Sequence, residues 1–196
     1  GMLTNAKQKL AEIGLQNVEF IEADAEELDF KDNSFDAVLC SLAVCYLTDI
    51  PAAFRKWYRL IKTGGFVAFN VWSENAFPPS VLFRKVAERY DINVPNPNQS
   101  MGTIERSNKL LYKIGFKDIK IAAEQFGWYF EVNEKIAEDI WWMNAKNVFG
   151  YQVFQLSPDK LEECKAEYIK EMQKLPITEK GLWCDAPIFF IRATIM

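Results

Sequence analysis

The feature that most constrains the fold is the segment Asn17–Tyr46, in which two apolar runs are joined by an acidic connection. The pattern predicts a strand over Val18–Ala23 and a second strand over Phe35–Leu42. The second run is apolar almost throughout, which is typical of a strand in a parallel sheet covered by helices on both faces. Each predicted strand ends in polar residues, and ligands of such sheets bind beyond the carboxyl ends of the strands.

The flanking segments continue the alternation of helix and strand. Thr4–Ile13 has apolar residues at helical spacing and is followed by Gly14, a common helix terminator. A second helix is predicted to begin at Pro51 and to end at Gly64-Gly65. A strand over Phe66–Trp72 follows it. Strands that alternate with helices in this way predict a parallel α/β sheet.

The second half of the chain is predicted to be richer in helix. The predicted helices are Pro78–Tyr90, Thr103–Ile114, Asn133–Val148 and Pro158–Leu175, and the predicted strands are Phe116–Glu131 and Ala186–Ile195. We therefore expect a single domain over residues 1–196, with a helical insertion or lid over residues 131–180 before the last strand.

Composition excludes several classes of function. A net charge of −4 provides no basic surface for nucleic acid. The longest apolar run, Ala37–Leu47, is shorter than the roughly 20 residues that span a bilayer. The chain has no histidine, and its four cysteines form no CxxC pair, so we expect no zinc site and no Ser-His-Asp triad. These properties favour a cytoplasmic protein without nucleic-acid or membrane partners.

The detail of Asn17–Tyr46 resembles the middle of a class I S-adenosylmethionine-dependent methyltransferase domain of the small-molecule type. The resemblance is sharp over Met2–Ser73 and looser beyond it. It implies a Rossmann-like, doubly wound, mostly parallel sheet, S-adenosylmethionine as cofactor and a small-molecule methyl acceptor. The family also has a glycine-rich loop after its first strand, whereas the nine glycines here form no GxG. We therefore expect a sheet truncated at its N-terminal strands, in a chain that is inactive alone.

The resemblance also implies cofactor-binding residues. Asp24-Ala25 matches the pair that receives the adenine amino group, and Ser41-Leu42 matches the segment that lines the methionine moiety. Met2-Leu3 resembles the dipeptide that packs against the adenine ring. Two alternatives stay open: Asp24 caps the short turn Ala25–Leu28, and Ser41 is ordinary strand-end packing.

An aromatic cluster in the second half lies where the family places its acceptor lid. The residues predicted to line the acceptor pocket are Tyr46, Tyr129, Trp141 and Trp142. The alternatives are a hydrophobic subcore under the inserted helices and a subunit interface. No catalytic base is assigned, because Asp49, Glu74, Tyr46 and Tyr129 are candidates by position only.

The expected loss of strands has a physical consequence, since it leaves the edges of two apolar strands unpaired. Either Val18–Ala23 pairs with Phe35–Leu42 within the chain, or two chains join their sheets. We expect a homodimer, because the connection Asp24–Ser34 is short for a parallel crossover. The competing functions are a non-catalytic dimerisation or interaction module and a half-enzyme completed by another chain. A nicotinamide-dependent reductase is disfavoured, because it also needs a glycine fingerprint.

Overall fold

The computed structural model describes residues 1–196 as one five-stranded sheet with six helices. The helices are α1 Met2–Glu12, α2 Ile50–Leu60, α3 Pro78–Glu88, α4 Ile104–Ile114, α5 Glu134–Ala145 and α6 Pro158–Met172. The strands are β1 Phe35–Ser41, β2 Ile61–Trp72, β3 Lys117–Phe130, β4 Ile177–Thr178 and β5 Gly181–Thr194. Their order is β1-β2-β5-β3, with β4 beside β5.

The predicted Rossmann-like α/β class is confirmed, and the pairings locate this sheet within it. β1 and β2 are parallel, whereas β5 pairs antiparallel with β2, β3 and β4. The last long strand therefore inserts between β2 and β3. The sheet thus consists of one parallel pair, β1 and β2, and an antiparallel part built around β5.

Local sequence explains where the helices begin and end. The Asp49 carboxylate accepts a hydrogen bond from the backbone N–H of Ala52 at 2.8 Å, which caps α2. The Thr103 hydroxyl caps α4 in the same way. Helix α4 ends at Gly115, whose φ of 122° is accessible to glycine at little cost.

Two hydrophobic cores hold these elements together. The first lies between one face of the sheet and helices α2 and α4, and includes Phe54, Phe69 and Ile191. The second lies among α3, α5 and α6 and includes Phe83 and Trp141. The inserted helices α5 and α6 therefore have a core of their own above the strand ends of the sheet.

Three predictions about the elements were wrong. Val18–Ala23 forms no strand and does not pair with β1. Helix α2 ends at Leu60 and β2 begins at Ile61, so Gly64-Gly65 does not end the helix. Gly65 is instead required by close packing, since a Cβ there would lie 2.7 Å from the Asp36 carbonyl oxygen.

The third error concerns the surroundings of β1. The strand was expected to be covered on both faces, but Leu39 is 74% exposed on the face opposite α2. β1 is also an edge strand of the sheet. The continuous apolar run thus predicted the strand correctly and its burial wrongly. None of the six helices has the length and hydrophobicity that crossing a bilayer requires.

Candidate active site at the ends of β1 and β2

The parallel pairing of β1 and β2 brings their carboxyl ends together. Ser41 lies beside Asn70 in the register of the two strands. Leu42 then leaves the strand with a φ of 51°, and its N–H donates a hydrogen bond to Asn70 Oδ1 at 2.7 Å. The predicted pair Ser41-Leu42 is therefore held at the strand end, next to β2.

Asp24 lies in a tight turn after the irregular segment. Its Oδ1 accepts a hydrogen bond from the N–H of Glu26 at 2.8 Å, and its carbonyl accepts one from the N–H of Glu27 at 3.0 Å. This arrangement agrees with the alternative in which Asp24 caps the turn. The carboxylate is exposed, and Oδ2 receives no hydrogen bond from the protein.

Glu26 fastens this turn beside the end of β1. Its carboxylate accepts hydrogen bonds from the backbone N–H groups of Thr48 and Asp49, both at 2.8 Å. These two bonds hold the pKa of Glu26 below its ordinary value. Lys56 Nζ donates to the Glu26 carbonyl at 2.7 Å. The turn that carries Asp24 is therefore attached to the start of α2, beyond the strand ends.

Trp57 adds a further attachment, since its Nε1 donates to the Ala25 carbonyl at 3.3 Å. Sequence reasoning missed the role of Glu26, because its partners are 22 and 23 residues further along the chain. No local motif marks such a contact.

A cavity of 220 Å³ opens between the strand ends and the inserted helices. Its apolar lining includes Leu42, Tyr46, Trp72, Phe77, Phe83 and Phe149. Tyr46 stacks on Phe149 with ring centroids 5.6 Å apart and planes 26° from parallel. Ligand pockets in proteins are usually about 300–1,000 Å³, so this cavity suits a group the size of a single ring.

Five polar residues in the cavity wall were missed by the sequence reasoning: Ser80, Arg84, Asn98, Asn144 and Asn147. Ser80 and Arg84 lie four residues apart on one side of α3, and Asn98 belongs to the loop between α3 and α4. Ser80 and Asn98 make no side-chain hydrogen bond within the protein. Arg84 Nη2 has only a long contact of 3.5 Å to the Glu74 carbonyl. Partial burial lowers the pKa of Arg84 from its ordinary value.

Most of the other predicted site residues lie away from this cavity. Trp141 is fully buried and packs against Phe83 and Tyr168, as the subcore alternative expected. Trp142 packs at the edge of the second hydrophobic core, and the ammonium groups of two lysines lie over its ring. Tyr129 packs against Trp183 on β5. Of the four aromatic residues predicted to bind the acceptor, the structure brings only Tyr46 to the cavity.

Met2 and Leu3 lie in the first turn of α1, a helix without a buried residue. Met2 is 90% exposed, and α1 contacts the segment Leu15–Phe20. The structure does not bring this dipeptide to the strand ends. Its proposed contact with adenine stays a prediction.

The carboxylates considered as bases have other partners. Asp49 caps α2, and Glu74 forms an ion pair with Arg106 Nη2 at 2.5 Å. Neither residue lines the cavity. The cavity therefore contains no carboxylate and no histidine. Its neutral side chains that can lose a proton are the phenol of Tyr46 and the thiol of Cys45.

A second concave surface lies on the uncovered face of the sheet. It encloses 380 Å³ and is formed by two rows of neighbouring side chains across β1, β2, β5 and β3. The rows are Leu39, Ala68, Arg192 and Lys120, and Ser41, Asn70, Phe190 and Ala122. No helix covers this surface, although Leu39 and Phe190 are exposed there. Ser41 and Asn70 lie where it meets the strand ends.

Comparisons with known proteins agree with this architecture. The family model described as "Methyltransferase domain" matches residues 1–69. The chain is 31% identical over 145 residues to the ubiquinone/menaquinone biosynthesis C-methyltransferase UbiE of Rickettsia prowazekii, covering 73% of this chain and 56% of that protein. It is 34% identical over 94 residues to the enzyme of the same name from Cronobacter sakazakii, covering 47% and 36%. The chain thus spans about half the length, or less, of these relatives.

A solved structure shares the fold over nearly the whole chain. It is a candidate methyltransferase of Bacillus halodurans C-125, with a TM-score of 0.57 and 21% identity, covering 98% of this chain and 78% of that one. This likeness shows the shared fold, and the sequence matches support membership of the class I S-adenosylmethionine-dependent methyltransferase family.

Proposed function

We propose that this chain binds S-adenosylmethionine and takes part in methyl transfer to a carbon atom of a small aromatic acceptor. The observation that carries the proposal is the ring-sized cavity at the adjoining ends of β1 and β2, where doubly wound sheets bind ligands. Relatives named as C-methyltransferases of ubiquinone and menaquinone biosynthesis support an acceptor of the quinol type.

The residues at the strand ends fit part of the cofactor. Asp24 Oδ2 is exposed and without a protein donor, so it can accept the adenine amino group. Ser41 is exposed at the end of β1 and can contact the methionine end of the cofactor. When bound, S-adenosylmethionine supplies a methyl group activated by a positively charged sulfur. Asp24 and Ser41 would hold its two ends, while Leu42 is kept in place by Asn70.

The composition of the cavity restricts the chemistry that these residues can assist. Transfer to an activated acceptor depends mainly on proximity and alignment. A general base is needed only if the acceptor must lose a proton to the protein. Because no carboxylate or histidine lines the cavity, we propose that the acceptor brings its own electron-rich carbon. The stacked rings of Tyr46 and Phe149 would hold it and exclude water.

A titration with S-adenosylhomocysteine tests the cofactor part of the proposal. We expect calorimetry to detect binding by the chain and Asp24→Asn to weaken it. Asparagine keeps an acceptor for the N–H of Glu26 but lacks the charge and one acceptor oxygen. Asp29→Asn is the matched control, because Asp29 is exposed and makes no side-chain contact of this kind. Equal affinity of the wild type and Asp24→Asn would reject the assignment of Asp24.

Incubation with methyl-labelled S-adenosylmethionine and 1,4-naphthohydroquinone tests the acceptor part. We expect label on a ring carbon, and we expect Tyr46→Ala to reduce it. Label on oxygen, or label that does not depend on Tyr46, would contradict the proposed chemistry.

A second candidate function is favoured by the open side of the sheet. We propose that β1 and the uncovered face are contacted by another polypeptide, with a second copy of the chain as the expected occupant. Exposed strand edges invite pairing, and Leu39 and Phe190 lie exposed beside this edge. A homodimer of this kind suits either an enzyme or a non-catalytic interaction module. The four free thiols favour a cytoplasmic location.

Analytical ultracentrifugation tests the proposed dimer. We expect a concentration-dependent dimer in which amides of β1 are protected from hydrogen exchange. Leu39→Lys should dissociate it, because a charge would be placed on the buried face. Lys113→Ala, on the exposed side of α4 and away from this face, is the control. A monomer at all concentrations, with rapid exchange of the β1 amides that do not bond to β2, would reject the dimer.

A further inference from the structure

We propose that Arg84 binds an anionic oxygen of the methyl acceptor, so that the acceptor is a small aromatic molecule with a carboxylate or phenolate group. This inference rests on the proposed function, because it names the chemistry of the molecule that enters the cavity at the ends of β1 and β2. Arg84 is not one of the residues assigned to the cofactor.

The position of Arg84 directs its side chain to the cavity wall. Helix α3 begins at Pro78, and Ser80 and Arg84 are four residues apart, so they lie on the same side of the helix. Both line the cavity, as does Asn98 from the loop that follows α3. Three residues whose side chains carry hydrogen-bond donors, a hydroxyl, a guanidinium and an amide, therefore line one ring-sized space.

The charge of Arg84 is not neutralised by the protein. Glu74, Glu88 and Asp91 line the groove on the other side of Arg84. None of their carboxylates lies within the 4.0 Å of an ion pair with Arg84, and Glu74 is paired with Arg106. Burial is the cause of the lowered pKa of Arg84, so no neighbouring carboxylate counteracts it.

A half-buried cation without an ionic partner has lost part of its hydration, and no ion pair offsets that desolvation cost. Its hydrogen bond to the Glu74 carbonyl is 3.5 Å long, which is at the limit of such contacts. An entering carboxylate or phenolate would supply the missing partner, and an arginine can offer two parallel N–H groups to it. The apolar wall of Tyr46 and Phe149 would contact the ring. Arg84 would thus fix the orientation of the ring.

Binding of small probes in the absence of cofactor tests this inference. We would titrate the chain with 4-hydroxybenzoate and with 4-hydroxybenzamide, which differ in charge but little in shape, and follow binding by calorimetry and ligand-detected NMR. We expect the benzoate to bind and Arg84→Gln to weaken it about ten-fold or more. Arg84→Lys should have an intermediate effect, because it keeps the charge without the planar fork. The amide should bind weakly to all forms.

The control variant is Arg55→Gln, the same substitution on the exposed side of α2, which should leave benzoate binding unchanged. Titration with 4-nitrophenol above and below its own pKa separates the two sources of the anionic oxygen. Preference for the phenolate over the benzoate identifies a phenolate acceptor, and the reverse identifies a carboxylate. Equal binding of benzoate and benzamide, unchanged binding in Arg84→Gln, or no binding at millimolar concentration would overturn the inference. Failure to bind S-adenosylhomocysteine would instead count against the proposed function.

Discussion

The side chain of Asn70 holds the backbone of Leu42 at the point where β1 ends. The distance from Leu42 N to Asn70 Oδ1 is 2.7 Å, and the bond joins residues on neighbouring parallel strands. Leu42 has a φ of 51°, a conformation that costs a residue with a side chain about 1–2 kcal/mol. The hydrogen bond offsets part of this cost, so the strand end depends on both residues.

We predict that Asn70→Ala lowers the free energy of unfolding by about 1 kcal/mol, the usual worth of one such hydrogen bond. Asn70→Asp should cost less, because aspartate keeps an acceptor oxygen at the same place. Urea unfolding of the three proteins measures the difference. An alanine variant as stable as the wild type would show that this bond does not hold the strand end.

Glu26 should make stability depend on pH. Its pKa is lowered in the folded protein by the N–H groups of Thr48 and Asp49. The stabilisation is therefore present above the unfolded pKa of Glu and is lost as the pH falls through the lower folded value. Glu26→Gln should be less stable than the wild type at neutral pH, and the difference should shrink in acid below the ordinary glutamate pKa of 4.5.

Thermal unfolding over a series of pH values checks this dependence. Glu27→Gln is the matched control, since the Glu27 side chain makes no hydrogen bond or ion pair in the fold. A stability difference between the wild type and Glu26→Gln that stayed constant from neutral pH into acid would contradict the assigned role of the carboxylate.

Trp141 should matter for stability. It is fully buried against Phe83 and Tyr168 in the second core. Trp141→Ala should lower the free energy of unfolding by about 3–5 kcal/mol. Trp141→Phe should cost less, because the buried Nε1 has no hydrogen-bond partner to lose. Met143→Ala on the exposed side of α5 should change stability by about 0.5 kcal/mol or less.

The same variants separate a core role from the predicted acceptor role. Calorimetric titration of Trp141→Phe with 4-hydroxybenzoate should give the wild-type affinity. Reduced affinity without reduced stability would place Trp141 in the acceptor site after all.

The cysteines should differ in reactivity between the native and unfolded chain. Burial raises the pKa of Cys164 to about 12 and that of Cys184 to about 11, which keeps both thiols protonated at pH 8. Because the thiolate is the reactive form, we predict slow modification of both by iodoacetamide in the native protein. All four cysteines should react in urea. Rapid native labelling of Cys164, detected by mass spectrometry, would contradict the packing around α6.

The sequence predicted elements well where the signal was local. The caps of α2 and α4 and the apolar run of β1 all depend on residues close together in the chain. Val18–Ala23 was predicted from a similar apolar pattern, yet it is not a strand. A strand also has to pair with a neighbouring strand, and a pattern of apolar residues does not show whether the chain brings the two together.

The candidate site was predictable to the same extent. Ser41-Leu42 follows an apolar run, so its place at the end of β1 could be read from the chain. Asp24-Ala25 also follows an apolar run, but that run forms no strand. Arg84 could not be found in this way, because an arginine in an amphipathic helix normally faces water. Its importance depends on the loop and helices that close over α3, which only the tertiary structure shows. The same applies to Glu26, whose partners are distant in sequence.

The most direct test of the account is a titration of the isotopically labelled chain with S-adenosylhomocysteine, followed residue by residue by NMR. We expect shifts of the backbone amides of Asp24, Ala25, Ser41 and Leu42, reduced in Asp24→Asn and unchanged in Asp29→Asn. The absence of shifts at these residues with millimolar ligand, or shifts confined to other parts of the chain, would contradict the assignment of the cofactor site to the ends of the strands.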